Sequence, residues 1–479
     1  MQDYLYATSQ IAQTNDKLVN ACRVRTAGTA ASPTAFLVAT APSATAGSYD
    51  QCFAAGGKRQ ISVNPTGLST VNGSEKINAM TVQSDGKIVL AGWARQTSSG
   101  SDFLVMRLNA DGSFDRSFDG DGKALVNAAG GSVNDQANAV VIQSDGKIVV
   151  GGYTGNSNTT FSFAVIRLNA NGSLDTGFAT SGVFTSDSGF NNEDIVTGLA
   201  LQTVSSVNYI VVAGTARENN VNSPTGSLVN NHGALLRLKV SDGTLDTTFG
   251  ASGFRLFSFA GSSATPLVGT NEDFIGGVVV DANNKIIVGG TDFLNAAPSV
   301  TNAGVIRFTP SGAWDIKAVT NIVSGGVSGV LLQGSNVIVF GSGTYLSGTL
   351  TNTDLLAIKF TLPQSGAADG APDSTWGNQS PKNGRAYIRV YPAATSTNFG
   401  IARAGALQSD GKLIMAGRQR NNGNGISAGD AVLVRLNTDG TADTGFDGDG
   451  IVNVQRQNGN VDEALATAVN AGKILNRRV

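Results

Sequence analysis

The hydrophobic positions of this chain fall in short runs, and the runs recur in a fixed order. Asn78-Ala-Met-Thr-Val-Gln83 is followed by Lys87-Ile-Val-Leu-Ala-Gly92, then Phe103-Leu-Val-Met-Arg-Leu108, then the shorter Lys123-Ala-Leu-Val-Asn127. We name these runs A to D. Runs A to C are apolar at successive positions, which predicts strands buried on both faces between neighbouring sheets. Ser84-Asp85-Gly86, between A and B, has the turn chemistry of a tight hairpin. No segment of helical length carries a 3.6-residue period.

The same order returns along the whole chain. Gln-Ser-Asp-Gly-Lys-Ile-Val stands unchanged at Gln83–Val89 and Gln143–Val149, with a near copy at Gln408–Ile414. Anchored on its Lys, the unit recurs at Lys17, Lys87, Lys147, Tyr209, Lys285, Asn336, Lys412 and Lys473, about 65 residues apart on average. Four antiparallel strands in a unit of this length predict an all-β fold, a seven-bladed β-propeller. An open solenoid is the rival, but its coils stack parallel strands without hairpin turns. The expected domain is 1–460, with repeats at about 3–63, 75–127, 135–187, 193–258, 272–322, 326–392 and 400–455. Residues 461–479 form a partial eighth copy, read as a closure or strand-exchange segment.

The unit from Gln143 to Phe178, with Gln-Ser-Asp-Gly-Lys-Ile-Val-Val-Gly-Gly followed by Phe-Ala-Val-Ile-Arg-Leu-Asn-Ala-Asn-Gly-Ser-Leu-Asp-Thr-Gly-Phe, resembles the delta-60 repeat. The resemblance covers nearly the whole chain and is strongest in copies two, three and seven. Copy one departs from it, with Ala39 and Thr40 where the Arg of run C belongs, and copy six carries an extra stretch around Pro363–Arg385. The resemblance implies a bacterial repeat protein of the exported or surface kind. It implies no chemistry.

Composition agrees with many short strands joined by turns. Hydrophobic residues make up 41% and charged residues 14%, against about 25% charged in ordinary soluble domains, and there are 61 glycines. A net charge of −2 argues against nucleic acid as a general partner. No run approaches the roughly 18 apolar residues of a membrane span. No signal peptide is visible in the first thirty residues. Cys22 and Cys52 form either one bridge or two buried thiols.

Polar residues in these apolar runs are the candidates for chemistry. An Arg in run C precedes an Asp by eight or nine residues at Arg107/Asp115, Arg167/Asp175, Arg237/Asp246, Arg307/Asp315 and Arg435/Asp443, with Lys359/Asp373 as a looser version. A charge inside an apolar strand needs a partner, so each pair reads as a strut within its own unit. Phe118, Phe178, Phe249, Trp376 and Phe446 recur just after that Asp and read as core. Asp119 with Asp121, and Asp447 with Asp449, form acidic turns that suit either Ca²⁺ or plain solvation, without the terminal Glu of a calcium loop. No other cofactor is indicated.

Acids also precede run A, at Glu75, Asp135, Glu193, Asp194, Glu272 and Asp273. They either ring one mouth of a central channel or cap the connections between units. The B–C loops differ most between copies, and variable loops on a rigid frame are where binding resides. Trp93, Tyr153, Phe293 and Tyr345 lie in them. The single histidine, His232, nearly excludes histidine-based catalysis. The expectation is a non-catalytic extracellular or surface scaffold that binds a protein or glycan through the B–C face. The alternatives are a carboxylate-dependent hydrolase or lyase at the channel mouth, or a subunit of a larger assembly.

Overall fold

The computed structural model describes residues 16–25, 35–39, 58–61, 75–96, 100–156, 160–188, 193–219, 229–264, 272–293, 301–322, 324–347, 350–363, 369–390, 399–420, 429–454 and 461–471. Cys52 lies outside them, and Cys22 is described only in its backbone. Every regular element among these residues is a strand. The recurring unit is an antiparallel sheet in the order A-B-C-D. Copy two has Glu75–Val82, Ile88–Gln96, Gly100–Leu108 and Lys123–Val126 as its four strands. Short parallel bridges join copy two to copy three and copy six to copy seven. The fold is all-β, with several such sheets side by side.

The A–B hairpin forms as its residues dictate. Gly86 takes a left-handed φ of 84°, and its N–H donates to the Gln83 carbonyl at 2.9 Å. Asp85 accepts the Lys87 N–H at 3.1 Å, the side-chain turn that Asp favours. Copy five has no glycine there, and Asn284 adopts φ 59° in its place.

Each A strand slips register by one residue opposite B, between Ile77 and Ala79 in copy two and between Ala137 and Ala139 in copy three. The skipped residue is turned toward the next copy. The Asn78 Nδ2 donates to the Ala137 carbonyl at 2.8 Å, and the Asn138 Nδ2 to the Val196 carbonyl at 3.1 Å. Opposite this bulge B carries glycine, because a Cβ on Gly152 would lie 1.8 Å from the Gln136 carbonyl oxygen. Apolar clusters span neighbouring copies. Val89, Ala91, Phe103 and Val105 of copy two pack with Val140, Val150, Ala164 and Ile166 of copy three. That explains why A to C are apolar on both faces.

Two departures from the repeat have structural consequences. Val461–Ala471 pairs antiparallel with Asp16–Arg25 of copy one, and packs beside the A strands of copies two and seven. In copy six Lys359 replaces Arg and reaches only Asp373, at 3.3 Å. The extra stretch makes up the lost link to copy seven. Lys382 donates to the Asp439 carboxylate at 2.9 Å, while Arg385 reaches back to Thr320 and to the Asn321 carbonyl in copy five.

Candidate functional site at the mouth end

The unit has two ends. The A–B hairpins and C–D turns share one, the turn end. At the other, the mouth end, A begins, B finishes, C begins and D finishes. Carboxylates occur at both ends in opposite circumstances.

At the turn end the strut acids are held by cations. The Arg167 Nε donates to Asp175 at 2.7 Å, the Lys147 Nζ to the same oxygen at 2.8 Å, and the guanidinium lies 4.5 Å over the Phe178 ring. The ion pair returns at Arg107 and Asp115, Arg237 and Asp246, Arg307 and Asp315, and Arg435 and Asp443, with closest approaches of 2.6–2.7 Å; Lys87, Lys285 and Lys412 join three of these, and in copy four the Tyr209 ring lies under Arg237 where the Lys would stand. A second guanidinium nitrogen crosses to the next copy, donating to the carbonyls of Ala170, Val240, Pro310 and Pro363 from Arg107, Arg167, Arg237 and Arg307 in turn. Burial works to raise the Asp115 carboxyl, but hydrogen bonds from Ser117 and the charge of Arg107 outweigh it and bring it down to about 2. Asp175, Asp246, Asp315 and Asp443 are lowered in the same contest between burial and their Arg, Lys and turn partners.

The acidic turns are exposed. Asp121 accepts the Lys123 N–H at 2.9 Å and Asp449 the Ile451 N–H at 2.8 Å. Asp119 and Asp447 stand at positive φ, their carboxyls raised by partial burial and then by the neighbouring acid. Among the described residues no group of three or more His, Cys, Asp or Glu side chains is placed to hold a metal ion.

At the mouth end the acids divide. Asp135, Asp194 and Asp273 are wholly buried, and each accepts a backbone N–H from the connection before its strand: Ala128 at 2.6 Å, Ser188 at 2.6 Å and Phe259 at 3.0 Å. Burial raises all three. Asp194 is pushed up to about 7 against the opposing pull of Ser188, and Asp273 rises well above the carboxylate range. Glu75, Glu193 and Glu272 are only half-buried, and Glu193 pairs with Arg217 at 2.5 Å. Solvent-facing acid at the six predicted mouth positions therefore belongs to the glutamates.

Trp93, Tyr153 and Phe293 are half-buried at the same end. Tyr153 packs on Phe161 with centroids 4.5 Å apart, and Phe293 meets Phe274 edge-on at 5.3 Å. The indole Nε1 of Trp93 is buried with no hydrogen-bond partner among the described atoms. The side chain of Tyr345, and the middles of the B–C loops, lie outside the described residues.

The sequence reading missed a second polar row here. Five positions before the Arg or Lys of run C stand Asp102, His232, Asn302, Asp354 and Asp430, one per copy in copies two and four to seven. Asp102, His232 and Asp354 are buried, and Arg389, next after the D strand Arg385–Ile388, holds Asp354 at 2.9 Å. Aligning the copies on that Arg, instead of on the A–B turn, exposes the row.

A stack of four-stranded antiparallel units with internally strutted turns defines a β-propeller repeat protein. A family model described as a domain of unknown function (DUF5122) beta-propeller matches residues 83–118, 143–178 and 408–446. No curated protein matches the chain. Among solved structures it is similar to a protein of unknown function from Dyadobacter fermentans, at 12% identity and TM-score 0.38, covering 73% of this chain and 93% of that one. It is also similar to an endo-arabinase from Bacteroides thetaiotaomicron (10%, TM-score 0.31, 65% and 93% covered) and to a GH43_1 enzyme from Xanthomonas citri (12%, TM-score 0.31, 64% and 91% covered). The expectation that the chain is not an enzyme is corrected on this finding: glycoside hydrolases are among the solved structures it is similar to, at TM-scores of 0.28–0.31. These likenesses assign it no substrate.

Proposed function

We propose that the chain works at its mouth end as a carbohydrate-directed propeller, with carboxylate-dependent cleavage of a glycosidic bond as its activity. The observation that carries this reading is the set of buried carboxyls at the mouth end. The strut carboxylates at the turn end are neutralised by cations and lowered, whereas at the mouth end burial raises Asp135, Asp194, Asp273 and Asp354. Glycoside hydrolysis needs one carboxyl that keeps its proton near neutrality and one that is ionised, and differing environments are what separate them. Glu75, Glu193, Glu272 and Asp430 are half-buried acids exposed enough to meet a sugar, and Trp93, Tyr153 and Phe293 offer rings at the same end.

The finer architecture belongs to the same proposal. Seven copies form a ring in which Val461–Ala471 serves as the A strand of copy one, so that this strand closes the ring instead of starting an eighth unit. The repeats at 75–127, 135–187, 193–258, 272–322, 326–392 and 400–455 are its other blades, of the delta-60 kind. Variable B–C loops select the partner, a glycan at the cell surface or outside the cell.

The test is a panel of plant and bacterial polysaccharides, assayed for retention in affinity electrophoresis and for release of reducing ends. Cleavage that falls with Glu272→Gln and Glu193→Gln, but not with Asp121→Asn at the turn end, supports the proposal. Retention without cleavage overturns the hydrolytic part. Neither retention nor cleavage overturns the carbohydrate reading as a whole.

A further inference from the structure

Copy five differs from its neighbours at one buried position. Three residues before the bulge, strand A carries Glu75, Asp135, Asp194, Asp273, Gly325 and Gly400 in copies two to seven, and the residues of strand B directly across are Ala94, Thr154, Ala216, Asp292, Gly343 and Gln419. Only copy five opposes an acid with an acid, Asp273 to Asp292. Direct cross-strand partners project to the same side of the sheet, with Cβ atoms about 5 Å apart. Asp273 is 0% and Asp292 1% exposed.

Copy three shows what this position requires. Asp135 accepts one backbone N–H from Ala128, and its other oxygen takes the hydroxyl hydrogen of Thr154, the residue across from it. In copy five the Asp273 Oδ1 likewise accepts the Phe259 N–H at 3.0 Å, and the Ser258 hydroxyl also donates to this carboxyl. Its Oδ2 is buried with no hydrogen-bond partner among the described atoms. The residue across from it is a carboxylate, which as an anion has no hydrogen to give.

We propose that Asp273 and Asp292 hold one proton between them in the place of the Thr154 hydroxyl, and that this proton controls how firmly the connection after Phe257 is fastened to the mouth end. With the proton present, Asp273 keeps both its loop amide and a hydrogen bond to Asp292. Without it, two buried anions face each other across one strand pair, and the strand or the loop must give way.

Asp292 accepts the Asn302 Nδ2 at 3.4 Å, so its own partners leave Asp273 Oδ2 facing it. The strands packed against Glu272–Val280 are Asp194–Val204, Val207–Asn219, Val229–Lys239, Ile286–Phe293 and Gly325–Gln333. At the mouth end they carry Asp194, Arg217, Glu218, His232 and Asp292, with Glu272 on the strand itself. Arg217 is paired with Glu193, and no cation is among the groups that act on Asp273. Burial, and then the charge of Asp292, drive the Asp273 carboxyl in the same direction. Because the folded-state value is raised, the stabilisation is fully present below the ordinary carboxylate range and is lost as pH rises through the raised value.

The experiment uses the full chain. Infrared difference spectra between wild type and Asp292→Asn at pH 7 should show a carboxylic-acid C=O band in wild type alone, because the new amide donates to Asp273 and lets it ionise. Hydrogen exchange at Phe259 should then lose protection with rising alkalinity in wild type by about tenfold per pH unit, the slope of a single linked proton, and stay flat in the variant. Asp292→Thr, which copies the arrangement of copy three, gives a second variant with the same expectation if Asp292→Asn does not fold. A wild type without the band, or equal loss of Phe259 protection in wild type and variant, overturns the proposal.

Discussion

Removing the acid from one strut should destabilise the protein more than removing its arginine, although both break the same ion pair. Arg167 is buried, and Asp175 takes the Arg167 Nε at 2.7 Å and the Lys147 Nζ at 2.8 Å. Asp175→Asn leaves two cations with no anion between them. Breaking a buried pair in this way costs about 3–5 kcal/mol, and because Lys147 is partly exposed and can turn to water we expect about 3. Arg167→Met leaves Asp175 satisfied by Lys147 and by the Gly177 N–H at 3.2 Å. What it loses is chiefly the charge-assisted hydrogen bond to the Val240 carbonyl, about 2 kcal/mol. The double variant removes the buried cation together with its partner, so it should cost at least about 1 kcal/mol less than the two single losses combined. Denaturant midpoints at pH 7, with an unchanged slope, read all three. Strict additivity, or Arg167→Met as the costlier single change, would refute the strut reasoning.

Three further outcomes follow from the same geometry. Strut acids with lowered carboxyls contribute stability that is present above the ordinary carboxylate value and lost as pH falls through the folded one, about 2 for Asp115, so melting temperature should drop between roughly pH 4 and 2; a flat profile there contradicts the assignment. Gly152→Ala forces a Cβ to 1.8 Å from the Gln136 carbonyl and should cost about 3 kcal/mol or more, whereas Gly120→Ala meets open space at a φ of 84° and should cost about 1 kcal/mol. Calorimetry on the two purified variants separates them. Deleting 461–479 removes the strand that pairs with Asp16–Arg25, and should abolish the cooperative transition seen by circular dichroism instead of trimming it; an unchanged melt rejects ring closure by that strand.

The turn end was legible in the sequence because each copy solves the same local problem with the same residues. Asp85-Gly86 makes a hairpin wherever it stands, and an Arg within an apolar run announces a partner. The mouth end was less legible for a physical reason. Whether an acid there faces solvent or a loop amide depends on the one-residue register slip in strand A and on where the preceding connection returns, and neither is local. Asp194 and Glu193 are adjacent in sequence, yet one is buried against Ser188 and the other pairs with Arg217 near the surface. Period-two geometry sends neighbours to opposite sides, but the side taken is set by strand pairing.

That difference between the ends also bears on where function evolves. At the turn end Arg107, Arg167, Arg237 and Arg307 are each tied to their own Asp and to the next copy's carbonyl, so a change in one of these units disturbs two. At the mouth end the strand B position across from Glu75, Asp135, Asp273 and their equivalents Gly325 and Gly400 is Ala, Thr, Asp, Gly or Gln while the sheets on either side keep their register. A position that accepts a methyl group, a hydroxyl, a carboxylate or nothing at all is not needed to hold the frame. Copies two to five can therefore each set the surroundings of their own mouth acid independently, and in the proposed ring such independent settings are what an asymmetric substrate would need to be bound in one orientation.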